Sequence, residues 1–177
     1  MKILIDTNII VTFLTKREDK YSEAIDIIMQ KCIDKKLDGY IAFHSLSTLW
    51  YVLRHSPINE RLYSLTLVCS TFKIASASRM RILRAIKNSD FTDFEDNLQD
   101  CCAQQVNADY IVTANVRDYD THSVVKAVTP SELLDILNDS YTDSPWEIHE
   151  QYVEYNSHSC AIPSPPHLHI LISSQVA

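Results

Sequence analysis

No apolar stretch in this 177-residue chain approaches the run of about 20 apolar residues that a membrane-spanning helix needs. The amino terminus reads Met1-Lys2-Ile3-Leu4-Ile5-Asp6, with three apolar residues where a secretory signal needs a longer core, so a cytoplasmic protein is expected. Cysteine is sparse and odd in number. Cys32, Cys69, Cys101, Cys102 and Cys160 form no Cys-x-x-Cys pair, which argues against a disulfide framework or a zinc knuckle and for reduced, packed thiols. Positive charge is in deficit: 16 Lys and Arg face 23 Asp and Glu, for a net charge of −7. That balance excludes broad, non-specific nucleic-acid binding through a basic surface. It leaves a nuclease open, because carboxylates clustered to hold divalent cations make the bare protein acidic. It also suits a basic protein partner. Glycine is nearly absent, and the single Gly39 is expected at a turn.

What the chain does have is a 46% hydrophobic composition, enough for one compact domain with a core. Residues 2–6 are an apolar run ending in Asp, as in a buried parallel strand. A helix capped by Thr7 or Asn8 follows, then another over 21–33 with Ala24, Ile25, Ile28, Met29 and Cys32 at helical spacing. Tyr40-Ile41-Ala42-Phe43 and Phe72-Lys73-Ile74-Ala75 read as strands, and 45–54 and 59–71 as helices on either side of Pro57. Ser78 caps a further helix. Thr92 and Glu95 have the spacing of a capping box that opens the next one. Strands over 108–113 and 124–128 and a helix from Pro130 through Leu137 complete the pattern. Strands alternating with helices predict an α/β fold around a parallel sheet. The domain is expected to span 1–138. Residues 139–177 carry Pro163-Ser164-Pro165-Pro166 and little periodicity, and are expected to be a loosely structured or disordered tail.

Three acidic positions fall where chemistry is done in such folds. Asp6 ends the first strand, and ligands bind beyond the carboxyl ends of strands in open α/β sheets. By position alone it serves equally well as a helix cap. Asp96 lies early in its helix, with Asp93 and Asp100 at spacings that put all three on one face. A solvated acidic face is the bland alternative. Asn115 and Asp118 follow the strand that ends in Thr113, where a turn and a solvated Asp would explain them as well. Together, carboxylates at one sheet edge raise one another's pKa unless a cation compensates, and a hard ion with oxygen ligands is the natural partner.

These segments also resemble a known family. Ile3-Leu4-Ile5-Asp6-Thr7-Asn8 is similar to the opening strand and DTN signature of PIN domains. Phe91-Thr92-Asp93-Phe94-Glu95-Asp96-Asn97-Leu98-Gln99 resembles their acidic helix. Tyr110-Ile111-Val112-Thr113-Ala114-Asn115-Val116-Arg117-Asp118-Tyr119 and Val128-Thr129-Pro130-Ser131-Glu132-Leu133-Leu134 resemble their last two motifs. The likeness is to the bacterial VapC-like branch. It implies a three-layer α/β/α sandwich with a central parallel sheet, and an Mg²⁺- or Mn²⁺-dependent endoribonuclease. It further implies a toxin neutralised by a small antitoxin protein, and a homodimer. On this reading Asp6, Asp96 and Asp118 are catalytic and bind the metal. Thr113 and Asn115 hydrogen-bond the carboxylates or a metal water, and Thr7 and Asn8 hold the first turn.

One departure stands out. Thr48, in Ser45-Leu46-Ser47-Thr48-Leu49-Trp50-Tyr51, falls where many PIN domains carry a Glu. Either metal affinity is lowered or Asp93 compensates from the neighbouring helix. The missing Glu and the acidic surface also motivate an alternative function, a catalytically weak PIN fold that binds RNA or protein. A phosphatase of the haloacid dehalogenase type is disfavoured because Asn8 stands where its second Asp is needed. His158, Cys160, His167 and His169 offer an unspecific zinc spacing. The basic run Arg79, Arg81, Arg84 and Lys87 reads as a solvated helix face, with RNA-phosphate contact as the alternative. Trp50 and Tyr51 read as core or interface.

Overall fold

A computed structural model describes residues 1–88, 91, 93–119 and 122–142. Five strands form one all-parallel sheet: β1 Lys2–Ile5, β2 Asp38–Ala42, β3 Lys73–Ala75, β4 Tyr110–Val112 and β5 Ala127–Val128. Their order is β3-β2-β1-β4-β5, so the apolar opening run is the central strand. The described helices are α1 Thr7–Thr15, α2 Ser22–Ile33, α3 Ser45–Val52, α4 Ile58–Thr71, α5 Arg79–Lys87, α6 Phe94–Val106 and α7 Pro130–Thr142. Short 3₁₀ turns extend α3 (Leu53–His55) and follow β4 (Val116–Asp118). Among the described residues no helix is long and apolar enough to cross a membrane.

Successive strand residues point to opposite faces, and a parallel sheet covered on both sides needs apolar side chains on each. Ile3 and Ile5 pack with Ile41, Val112 and Val128 against Ile9 and Ile10 of α1, Ile25 and Ile28 of α2, Leu49 of α3, Val68 of α4 and Leu133 of α7. Leu4 packs with Ala42, Ala75, Ile111 and Ala127 on the other face, against Cys102 and Ala103 of α6 and the rings of Phe91 and Tyr119. The result is the three-layer α/β/α sandwich that the family resemblance implies, built around the parallel sheet that the strand and helix alternation predicts.

Two sequence expectations need correction. Gly39 lies inside β2 rather than at the turn before it. The turn is made upstream, where Lys35 takes a left-handed φ of 58°. The glycine is required by close approach: a Cβ there would lie 2.8 Å from Phe72 Cδ1 and 3.0 Å from Cys32 Sγ. The helix expected to end at Leu137 runs on to Thr142. The remainder of the expected tail, with the proline segment and the His and Cys residues of the zinc spacing, lies outside the described residues, as does Thr92 of the capping box.

The connection from β3 to β4 returns across the sheet, so β1 is the strand on whose two sides the winding reverses. A crevice opens at the carboxyl ends of strands flanking such a switch point. Asp6 directly follows β1 and Thr113 directly follows β4, and their strands are hydrogen-bonded neighbours.

Candidate functional site

Asp6 is 5% exposed and surrounded by donors. Its Oδ2 accepts from the Thr113 hydroxyl (2.7 Å) and Asn8 Nδ2 (2.7 Å) and lies 3.4 Å from the Tyr119 hydroxyl, and its Oδ1 accepts from Gln99 Nε2 (3.3 Å). Thr113 Oγ1 also accepts from Asn8 Nδ2 at 3.0 Å and from the Asn115 backbone at 3.1 Å. Asn8 Oδ1 accepts from the Ala114 backbone at 3.3 Å. The helix start at Thr7 and the loop after β4 are thereby tied through one carboxylate. The aspartate does not act as a side-chain cap for α1. Burial raises its pKa above the ordinary carboxylate value; the Thr113 hydrogen bond opposes that rise and the charge of Glu95 adds to it.

Asp96 reaches the same point from the first turn of α6. Its Oδ1 accepts from the Tyr119 hydroxyl at 3.1 Å, so one buried phenol lies between the two carboxylates. The phenol has one proton, and the shorter contact assigns it to Asp96. Burial, the charge of Asp6, and the charges of Asp93 and Asp118 push the Asp96 carboxyl up to about 6, against the pull of the Tyr119 hydrogen bond. Burial and the two neighbouring carboxylates in turn hold the Tyr119 hydroxyl protonated far above its ordinary range.

The remaining sequence candidates divide. Asn115 lines the pocket at this edge, a cavity of about 470 Å³ walled also by Asp6, Thr7, Asn8, Arg17, Asp19, Thr48, Glu95 and Asp96. Asp118 is exposed at the end of its 3₁₀ turn and reaches Asp96 through its charge. Asp93 is also exposed. It caps α6 by accepting from the Glu95 backbone at 2.7 Å. The carboxylate beside Thr48 is that of Glu95, whose Oε1 accepts from the Thr48 hydroxyl at 3.3 Å and lies 3.5 Å from the Thr7 hydroxyl. Asp100, one turn further along α6 than Asp96, does not reach the pocket. It is 2% exposed and binds the loop ahead of β5.

Sequence reasoning assigned no role in the site to Tyr119, Gln99, Ser45 or Glu95. Gln99 is fully buried, and its Nε2 contacts Asp6 and, at 2.9 Å and 3.2 Å, the hydroxyls of Thr7 and Ser45. A polar residue on the sheet-facing side of a helix was the available signal. Elsewhere, Arg81 of the basic run donates to Gln104 and Gln105 of α6, and Trp50 lies under the Arg61 guanidinium at 3.5 Å. Both make intramolecular contacts.

The pocket offers oxygen donors from carboxylates, hydroxyls and amides. Among the described residues none of its carboxylates has a Lys or Arg ion-pair partner. That donor set fits a hard divalent cation. Among the described residues no three His, Cys, Asp or Glu side chains are gathered round one point. The carboxylates ring the pocket instead, an arrangement suited to Mg²⁺, which keeps several waters and takes one or two carboxylates.

The raised Asp96 pKa has a stability consequence. Between the unfolded value of 3.8 and about 6 the folded state binds more protons than the unfolded state. Stability from this group is therefore full below the unfolded value and is lost as pH rises through the folded one. Without divalent cation, the melting temperature of the wild type relative to Asp96→Asn should fall by about 2–4 °C between pH 4 and 7.5. A flat or rising difference in paired thermal melts contradicts the charge arrangement.

The family model described as PIN domain matches residues 2–117. Among curated protein sequences none matches the chain significantly. The chain is similar in fold to VapBC-1 from nontypeable Haemophilus influenzae, with a TM-score of 0.57 and 15% identity over 74% of this chain and 99% of that one. VapBC2 from Rickettsia felis, bound to a DNA fragment from their promoter, gives 0.56 and 19% over 73% and 98%. PAE2754 from Pyrobaculum aerophilum gives 0.51 and 18% over 78% and 90%.

Proposed function

The chain belongs to the PIN-domain family, and on that premise we propose that it is a metal-dependent endoribonuclease acting in the cytoplasm, the toxin of a type II toxin–antitoxin pair. The observation that carries this reading is the convergence of Asp6 and Asp96 on one buried hydroxyl, beside a pocket walled by oxygen donors. Asp6 and Asp96 would hold Mg²⁺ or Mn²⁺, with Asp118 or Asn115 toward the solvent side. The bound ion supplies a water nucleophile at neutral pH and stabilises charge on the leaving oxygen.

The chain's own residues do the positioning. Three donors fix Asp6, and Tyr119 sets the spacing of the two carboxylates without itself ionising. Asn115 presents its amide at the pocket wall. Arg17 is the one Lys or Arg among the described lining residues, and it draws the phosphate of an RNA strand into an otherwise acidic pocket. The VapC-like motifs imply a small antitoxin as partner and a homodimeric state, and the fold shared with chains of VapBC-1 and VapBC2 supports the antitoxin. The net charge of −7 favours a basic partner segment. The alternative of a catalytically weak binding module rested on Thr48 and the acidic surface, and the Glu95 carboxylate beside Thr48 weakens the first of these grounds.

The test is incubation of the full chain with a panel of structured and unstructured RNAs. Cleavage is expected with Mn²⁺ and none with EDTA. Intact RNA across the panel in Mn²⁺, from protein with a native circular dichroism spectrum, contradicts the proposal.

A further inference from the structure

We infer that Glu95 of α6 is the additional acidic residue of the metal site, taking from a different helix the place left empty at Thr48 of α3; this rests on the metal-dependent reading above. Three observations point to it. First, Glu95 Oε1 accepts from the Thr48 hydroxyl at 3.3 Å, so its carboxylate occupies the space that an acidic side chain at position 48 would enter. Second, Glu95 is continuous with the site: its carboxylate lies 3.5 Å from the Thr7 hydroxyl, its charge acts on Asp6, and it lines the same pocket as Asp6 and Asp96. Third, Gln99 is fully buried within this cluster. Its Nε2 contacts Asp6, Thr7 and Ser45 while its Oε1 has no partner among the described residues. A buried orphan acceptor beside carboxylates marks a place for a water such as those a bound cation carries.

The helix makes the exchange geometrically simple. Glu95 and Asp96 are consecutive in the first turn of α6, where the dipole favours negative charge. Asp93 caps that turn through the Glu95 backbone and so orients the side chain that follows. One helix start thus delivers two carboxylates to one pocket. Asp96 stands against Tyr119 and Asp6, while Glu95 stands against Thr48 and Thr7.

The experiment is titration of Mn²⁺ by isothermal calorimetry into the full-length wild type, Glu95→Gln, and the double variant Thr48→Glu/Glu95→Gln, with thermal melts of each apo protein. Glu95→Gln should weaken Mn²⁺ binding by about tenfold or more without lowering the apo melting temperature, since it removes a charge that repels Asp6. Returning the carboxylate from α3 in the double variant should recover affinity to within about threefold of wild type. Glu95→Gln binding Mn²⁺ as tightly as wild type overturns the inference and leaves the metal reading standing. Loss without recovery, in a double variant that melts like the wild type, overturns the exchange of position. A wild type that binds no Mn²⁺ contradicts the proposed function, and this inference with it.

Discussion

Replacing Asp6 by Asn is expected to reduce Mn²⁺-dependent RNA cleavage by about a thousandfold, which corresponds to about 4 kcal/mol of lost charge stabilisation. The size follows from where Asp6 stands. It is the carboxylate at the end of the central strand, its rotamer fixed by Thr113, Asn8 and Gln99. An amide of the same shape keeps the cavity filled but presents a neutral group, so a cation loses its most firmly oriented ligand. The fold should persist. Burial raises the Asp6 pKa, so the native carboxylate is itself ionised at a cost, and removing that charge offsets the hydrogen bonds that an amide rearranges. Single-turnover cleavage with matched circular dichroism spectra makes the comparison. Activity within about tenfold of wild type would remove Asp6 from the machinery.

Replacing Asp100 by Ala should do the reverse, destabilising the fold by about 3 kcal/mol or more. The Asp100 carboxylate is 2% exposed and accepts four hydrogen bonds. They come from Gln104 Nε2 at 2.6 Å, the Ser123 hydroxyl at 2.6 Å, and the backbone N–H groups of Val124 and Val125 at 3.1 and 3.0 Å. Alanine leaves the loop entering β5 with the backbone donors of Val124 and Val125 unmet, the second of them buried, and it also strands the Gln104 and Ser123 donors; a buried donor left unmet costs of order 1–3 kcal/mol. For a chain of this size the melting temperature should fall by about 10 °C. Asp100→Asn retains one acceptor oxygen and should lose less. Urea unfolding of the two variants beside Asp96→Asn separates the roles: Asp100→Ala shifts the midpoint, and Asp96→Asn affects cleavage far more than stability. A midpoint for Asp100→Ala equal to that of wild type contradicts the buried-network role.

These two aspartates show how far the sequence can be read. Asp96 and Asp100 are four residues apart and carry the same side chain, so helical spacing groups them on one face. Their surroundings differ because one turn of α6 faces the sheet edge and the next faces the loop before β5, a distinction that only the tertiary fold makes. The strands and most helix limits were legible, because buried parallel strands demand apolar runs and the spacing on α2 follows the core. Gly39 was misplaced because the need for a missing Cβ arises from Phe72 and Cys32, neither adjacent in sequence. The Asp6 and Asp96 segments could be picked out by motif. Tyr119 could not be given a role, since an aromatic at that position reads as core until its hydroxyl is seen between two carboxylates. Glu95 was hidden by a sufficient local explanation, as the capping-box partner of Thr92. In the fold its carboxylate turns toward Thr48 and Thr7, and Asp93 makes the cap.

The central claim is that the carboxylates at the ends of β1 and α6 form one cation site. Mn²⁺ titration by calorimetry of the wild type against Asp6→Asn and Asp96→Asn at neutral pH tests it directly. Saturable binding by the wild type, weakened by about tenfold or more in each variant, is the expected result. Equal affinity in all three proteins, or no binding by the wild type, would contradict it.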